Sequence, residues 1–412
     1  MPEGTFLHGG EHMKKLLREQ VMKDPLYGYI HVDLKVIKEA IDTAIFQRLR
    51  RVRQLSGVQM VFHGAEHSRF SHSLGAYEVA HRFLTTPDLK AALNEREKTL
   101  FLCATLLHDL GHGAYSHAFE DIFDTNHEHI GARLIMENDA LRAVLDQVDD
   151  AFASDVSGII MKAGKYPLIE QLISSQLDVD RLDYLERDAY FTGVSYGHID
   201  LDRLMRVMRI KDGKVVFKHS GVHAIENYLI SRYHMYWQVY YHPVSRAYEI
   251  VLEKIYKRVK DLCLNDYAFK GDIEPMKAII KNPNDLFNYI KIDDFYMNGL
   301  IASFLDTKDD ILRKLADDFM NRNIWQHIDH DETHQVDIEN IKQQYTDEEL
   351  LYFTADRTIA NLTYSEEDLG NQIHILMPDD TISTLQQESR IVRGLILTGV
   401  RTDRKFFYRT HQ

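Results

Sequence analysis

The sequence predicts a mainly α-helical protein with a small α+β region at its C-terminal end. Three observations carry that prediction. Apolar residues recur at helical spacing through most of the chain up to about residue 325, and β-prone runs gather only after that point. Glycine and proline are sparse, 21 and 8 in 412 residues, so long low-complexity or turn-rich stretches are excluded. A chain of this length exceeds one compact core, which predicts a core with a smaller appendage.

Taken in order, residues 1–20 read as an N-terminal arm. Asp24-Pro25-Leu26-Tyr27-Gly28 is a turn signal, followed by an alternating apolar piece over 29–32. Ile41, Ile45, Leu49 and Val52 fall at steps of four, four and three, one face of a helix. Arg48, Arg50, Arg51 and Arg53 occupy its other faces, and taken alone they read as a solvated basic surface. Further helices are expected over 69–84, 95–109, 127–136, 169–188 and 222–241. Lys211-Asp212-Gly213-Lys214 between two short apolar runs predicts a hairpin. Residues 282–323 return to the helical period. Runs at 351–354, 372–377, 394–397 and 405–408 are β-prone. The organisation expected is an arm (1–20), a core (21–325) and an α+β region (326–412).

The net charge is −14, from 49 basic and 63 acidic side chains. Such a chain is a poor general binder of nucleic acid, whose affinity comes from neutralising phosphates. A phosphorylated small substrate would need a local basic cluster, which the arginines at 48–53 could supply. The cysteines, Cys103 and Cys263, are too few for a disulfide framework or a thiolate metal site. No run reaches the roughly 18 apolar residues of a membrane span, and residues 1–20 lack the apolar stretch of a signal peptide. A cytoplasmic protein is expected.

Histidines crowd the stretch 63–129, at His63, His67, His72, His81, His108, His112, His117, His127 and His129. The sharpest element is His108-Asp109-Leu110-Gly111-His112-Gly113, where an apolar helix delivers a His-Asp pair into a glycine-flanked turn. Imidazole with carboxylate suits a borderline divalent cation. His72 on the preceding helix and Asp180 on a later one complete a four-ligand set, the way helical bundles build metal sites. Asp109 could also orient a water, and His112, His117 and His127 could protonate a leaving oxygen, with Glu128 orienting a histidine. Arg181, Tyr184 and Asp188 form one stripe beside Asp180, and Arg232, Tyr236 and Tyr240 a second. Guanidinium groups suit phosphates, and tyrosine rings offer a flat wall to a base or sugar. A stripe of tyrosines is otherwise ordinary core packing.

The ordered set His72, His108-Asp109 and Asp180 resembles the HD superfamily of metal-dependent phosphohydrolases. Phe46-Gln47-Arg48-Leu49-Arg50, Gln54-Leu55, the run from His67 to Gly75, His108 to Gly113 and Asp178 to Tyr184 together resemble its deoxynucleoside triphosphate triphosphohydrolases, over about residues 20–330. The resemblance implies an HD-domain helical core with one divalent ion per active site, whether Mn, Fe, Mg, Zn or Ni, and Mg accompanying the nucleotide. It implies that His72, His108, Asp109 and Asp180 hold the metal, and that His112, His117, His127 and Glu128 act in catalysis. Arg69, Arg181, Tyr184 and Arg232 would bind the triphosphate. Gln54 and Asp188 would meet the sugar 3′-hydroxyl, with Leu55 and Tyr240 against the sugar face. Glu120 and Tyr236 stand where the family has an aspartate and a histidine.

The reaction implied is attack of water on the α-phosphorus, releasing deoxynucleoside and tripolyphosphate. A homotetramer with a regulatory guanine nucleotide between subunits is also implied. Asp42, Gln47 and Arg50 match the guanine-reading positions, and Val61, Phe62, Arg206, Lys218 and Arg322 further regulatory ones. Two alternatives stay open: another HD phosphohydrolase, acting on a nucleoside monophosphate, a cyclic nucleotide or guanosine tetraphosphate, and a nucleotide sensor without catalysis.

Overall fold

The computed structural model describes residues 14–361, 372–397 and 401–410. It opens on an antiparallel hairpin, β1 (Lys15–Asp24) with β2 (Gly28–Leu34). Residues 15–20, expected as an arm, thus form most of β1, while residues 1–13 lie outside the described residues. The turn falls where Asp24 and Gly28 predict it. Asp24 Oδ1 accepts from the backbone N–H of Leu26 (2.9 Å) and Tyr27 (3.1 Å), and Gly28 takes the left-handed φ of 76°.

The expected basic helix is broken. α1 (Lys35–Asp42) stops at Thr43, whose hydroxyl caps a new short helix, Ala44–Gln47, which tightens into a 3-10 turn, Arg48–Arg51. Ile41, Ile45, Leu49 and Val52 are nonetheless all buried, because the breaks keep one side of the segment against the core. The solvated basic face is a correction. Arg48 is 2% exposed, and its guanidinium donates to the carbonyls of Ile290 (3.0 Å), His112 (2.9 Å) and Ile292 (3.3 Å). Arg51 pairs with Asp293 and Arg53 with Glu66.

The centre of the molecule is α2 (Arg69–Phe83) packed between α3 (Glu95–Leu107) and α6 (Val179–Thr192). α3 begins at a capping box of Asn94 and Glu97, and every residue from Thr99 to Leu107 is buried. α4 (His117–Phe123) and α5 (His127–Glu137) follow the glycine-flanked turn, α5 capped by Asn126. The helix expected over 169–188 is two, Pro167–Ile173 and α6. The Asp178 carboxylate accepts from Arg181 N–H (2.7 Å) and starts α6 afresh. α7 (Val222–Met235) runs on as a π-turn, Tyr236–Tyr240, before α8 (Pro243–Leu264).

The predicted hairpin is β3 (Met208–Lys211) with β4 (Lys214–Lys218). Beyond 325 lie β5 (Gln326–Asp329), β6 (Thr354–Asn361), β7 (His374–Leu376), β8 (Ile382–Thr384) and β9 (Arg401–Tyr408). Two of the β-prone runs are corrected: 351–353 ends the helix Asp347–Phe353, and 394–397 lies in the helix Arg390–Leu397. Both stretches put their apolar residues at helical spacing once their flanks are included. β7 pairs in parallel with β4, so strands from either side of residue 325 share one sheet. Among the described residues no helix is long and apolar enough to cross a membrane.

Candidate active site and metal centre

α2 carries Arg69 and His72 one turn apart, α3 ends at His108-Asp109, and Asp180 sits in the first turn of α6 because Asp178 caps that helix. These elements bring His72, His108 and Asp109 into one group able to hold a metal ion, with Asp180 beside both imidazoles. His72 Nε2 lies 3.0 Å from Asp180 Oδ1, 3.6 Å from Asp109 Oδ2 and 3.3 Å from His108 Nε2. His108 Nε2 lies 3.4 Å from Asp109 Oδ1 and 3.5 Å from Asp180 Oδ1. Donors bonded at about 2.1 Å to one first-row cation, at tetrahedral or octahedral angles, stand about 3.0–3.4 Å apart.

The proton positions sharpen the fit. His108 Nδ1 faces the Thr105 carbonyl at 2.7 Å, an acceptor only, so Nδ1 carries the proton. His72 Nδ1 faces the Asp183 carboxylate at 2.8 Å in the same way. With Nδ1 committed on each ring, Nε2 is the nitrogen left to face the two carboxylates, and in the neutral imidazoles its lone pair is available to a shared cation. Burial disfavours a charged His72, but Asp180, Asp183 and Asp109 outweigh it and push its pKa up to about 10, so the pocket favours positive charge. Burial likewise opposes an ionised Asp180, and His108 and His72 outweigh it, holding the carboxyl well below its usual range.

A second cluster adjoins the first. His112 Nε2 is 3.3 Å from Asp109 Oδ1, and its Nδ1 is 3.3 Å from Glu120 Oε1. His127 stacks on His112 with ring centroids 3.8 Å apart, its Nδ1 2.9 Å from the same Glu120 oxygen. Burial, then the charges of Arg69 and His127, hold His112 down at about 4, so it is neutral near pH 7. Gly111 makes this turn possible: a Cβ there would lie 2.0 Å from the His127 carbonyl and 2.4 Å from Gly131 N. Tyr115 and Ser116 take left-handed φ values of 55° and 51°, strain of the kind that gathers at functional sites. Ser116 Oγ accepts from Arg69 Nε (3.0 Å), whose Nη1 donates to Asp109.

Not every expected contact forms. Glu128 turns outward to Lys162 at 3.2 Å, its side chain 39% exposed, and Glu120 takes the position expected of it beside the histidines. A glutamate at the second residue of α5 points away from the turn, which the sequence alone did not reveal. The side chain of His117, at the start of α4, lies outside the described residues.

A cleft of about 410 Å³ opens beside Arg69 and Ser116, next to the candidate metal centre. Gln54, Leu55, Arg69, Tyr184, Asp188, Tyr236 and Tyr240 line it, as do Ser56, Val58, Ser116, Tyr241, Arg246 and Glu249, which the sequence did not single out. Both Asp188 oxygens are engaged, by His67 Nε2 (2.8 Å) and by the Tyr240 hydroxyl (2.7 Å). Gln54 Oε1 and Arg246 Nε are buried without a protein partner. Arg181 and Arg232 are not lining residues. Arg181 Nη1 is 3.6 Å from Asp178, while its buried Nε has no protein partner, and Arg232 donates to Gln176 (2.9 Å).

The residues matched to a regulatory site fall in three places. Arg50 Nε donates to Gln47 Oε1 (2.8 Å), and Asp42, at the end of α1, pairs with Lys38. Arg322 donates to the Met60 carbonyl (3.0 Å), beside Val61 and Phe62. Arg206 lies on the helix Leu201–Val207 and Lys218 at the end of β4.

The HD domain is matched over residues 69–188 and an HD-associated region over 199–398. The chain is 39% identical to Bacillus subtilis YwfO over 404 residues, 96% of this chain and 93% of that protein. It is 28% identical over 332 residues to the Dictyostelium discoideum homologue of the deoxynucleoside triphosphate triphosphohydrolase SAMHD1, covering 75% of this chain and 60% of that protein. A crystal structure of a phosphohydrolase from Bacteroides thetaiotaomicron superposes with a TM-score of 0.83 at 28% identity, covering 95% of this chain and all of that one.

Proposed function

The chain belongs to the HD-domain proteins that carry an HD-associated region, and from that premise we propose that it hydrolyses deoxynucleoside triphosphates with one divalent cation. The observation that carries the reading is the set of facing donor atoms of His72, His108, Asp109 and Asp180, with both imidazole Nδ1 protons committed elsewhere. The donor set fits manganese, iron, magnesium, zinc or nickel. Bound there, the cation would activate water and neutralise phosphate charge.

In the proposed reaction water adds to the α-phosphorus, the bond from that phosphorus to O5′ breaks, and O5′ takes a proton. The products are deoxynucleoside and tripolyphosphate. Arg69, fixed between Asp109 and Ser116, meets the phosphates at the metal end. Arg181 and Arg232, assigned to the triphosphate by resemblance, sit outside the cleft lining and would have to turn toward it. His127, held by Glu120 at Nδ1, is the candidate proton donor to O5′, with His117 assigned beside it by resemblance, while His112, neutral and buried, is suited to accept a proton or orient the water. Asp188 and Gln54 receive the 3′-hydroxyl, and Leu55 and Tyr240 close the sugar face. That the relatives include proteins named as deoxynucleoside triphosphate triphosphohydrolases supports this substrate over a monophosphate or cyclic nucleotide.

The proposal extends to a cytoplasmic homotetramer regulated by a guanine nucleotide. The resemblance assigns Asp42, Gln47, Arg50, Val61, Phe62, Arg206, Lys218 and Arg322 to a site between subunits, and this assignment supports the regulatory reading. One assay tests the function. Purified protein is incubated with each dNTP and Mn2+, with and without dGTP, and the products are resolved by ion-pair chromatography. Deoxynucleoside with tripolyphosphate is expected, and faster turnover of the other dNTPs when dGTP is present. Stepwise diphosphate and monophosphate would contradict the reaction, and indifference to dGTP would contradict the regulation.

A further inference from the structure

His72 is held from behind by a buried relay that ends in the N-terminal hairpin. Asp183 receives its Nδ1 proton at Oδ2 (2.8 Å). The same oxygen accepts from Arg187 Nε (2.9 Å), and Oδ1 accepts from Arg187 Nη2 (3.0 Å) and from the Tyr27 hydroxyl (2.8 Å). Arg187 Nη1 reaches on to Asp24 Oδ2 (2.9 Å). Asp24 in turn fixes the hairpin turn by accepting from two of its backbone N–H groups. Arg82 donates to the Tyr27 carbonyl (3.1 Å), with its guanidinium over the Tyr27 ring.

We propose that this hairpin turn is a working part of the metal centre: Tyr27, and Asp24 acting through Arg187, position Asp183, which orients the metal ligand His72. The inference rests on the metal reading above. The side chains of Asp183 and Arg187 are wholly shielded from water. A buried ion pair is a poor way to gain stability, since apolar groups of equal volume do as well or better. What an apolar core cannot do is grip an imidazole by its Nδ1 proton and aim its Nε2 lone pair. The chain also makes room for the relay. A Cβ at Gly75 would lie 2.0 Å from Asp183 Oδ1 and 2.1 Å from Arg187 Nη2, so α2 passes the relay only as glycine.

Tyr27, Asp24, Asp183 and Arg187 are positioning residues, and none of them lines the cleft. The test is calorimetric titration of metal-stripped protein with Mn2+, for wild type, Tyr27→Phe, Asp183→Asn and His72→Ala, alongside the Tm of each metal-free form. Loss of an outer hydrogen bond to a metal ligand typically weakens binding about 10–100-fold. Asp183→Asn, which alters the bond to His72 itself, is expected in that range, and Tyr27→Phe, one bond further out, is expected to weaken binding a few-fold, with the metal-free Tm within a few degrees of wild type. Wild-type Mn2+ affinity in Tyr27→Phe overturns the proposal, whatever happens to Tm, and this variant decides alone if Asp183→Asn does not fold. His72→Ala separates the two readings: if it too binds like wild type, the metal reading fails, whereas its loss with an unaffected Tyr27→Phe sinks only the relay.

Discussion

At the scale of single residues, two neighbouring glutamates make the sharpest contrast. Glu120 touches both stacked histidines, and Glu128 meets only Lys162 at the surface. Glu120→Gln should lower kcat on the order of 100-fold, the lower range for loss of a general acid or base, with the metal still bound. Glu128→Gln should leave kcat and Tm nearly unchanged, because an exposed ion pair contributes about 0–1 kcal/mol. Steady-state kinetics of the two variants check both outcomes. Arg48 gives a stability prediction. Arg48→Met would leave the buried carbonyls of Ile290, His112 and Ile292 without a donor, each costing about 1–3 kcal/mol, so a large fall in Tm is expected by calorimetry. The pair His108-Asp109 stood out in the sequence because His-Asp in a glycine-flanked turn is a rare pattern, and His72 and Asp180 were picked out as candidate ligands on neighbouring helices. The true partner of His127 was not, since a choice between two glutamates depends on where a helix start aims its side chains.

At the scale of elements, long periodic helices were legible and their interruptions were not. α2 and α3 fall where apolar spacing puts them. The break at Thr43 and the fresh start of α6 at Asp178 come from side-chain caps, which compete with continued helix only once the chain must turn to pack. That fresh start matters to the site, for it places Asp180 in a first turn facing α2 and α3. The turn after α3 is equally constrained. Gly111→Ala would force the His127 carbonyl and α5 away from the histidine pair. The variant should lose most of its turnover and several degrees of Tm, measured by product formation and thermal unfolding. Normal kcat with an alanine there would show that the close approach is not needed.

At the scale of the whole molecule, the region after residue 325 is woven into the rest. β7 pairs with β4, β9 lies between β5 and β6, and Arg409 pairs with Asp318 (2.7 Å), which also accepts from the Trp325 indole (3.0 Å). The sequence suggested an appendage, because nonlocal strand pairing leaves no periodic trace. A protein ending at residue 325 would expose β4 and the apolar side chains beneath the lost strands. It should aggregate or unfold at a clearly lower temperature than the full chain; a soluble, fully active truncation would contradict this.

The central claim is that His72, His108, Asp109 and Asp180 jointly hold one cation. Elemental analysis by plasma mass spectrometry of the purified wild type, beside His108→Ala and Asp109→Ala shown to be folded by circular dichroism, tests it most directly. The account predicts about one divalent ion per chain in the wild type, and loss of both ion and turnover in each variant. Wild-type metal content in the variants, or an active wild type free of divalent metal, would contradict it.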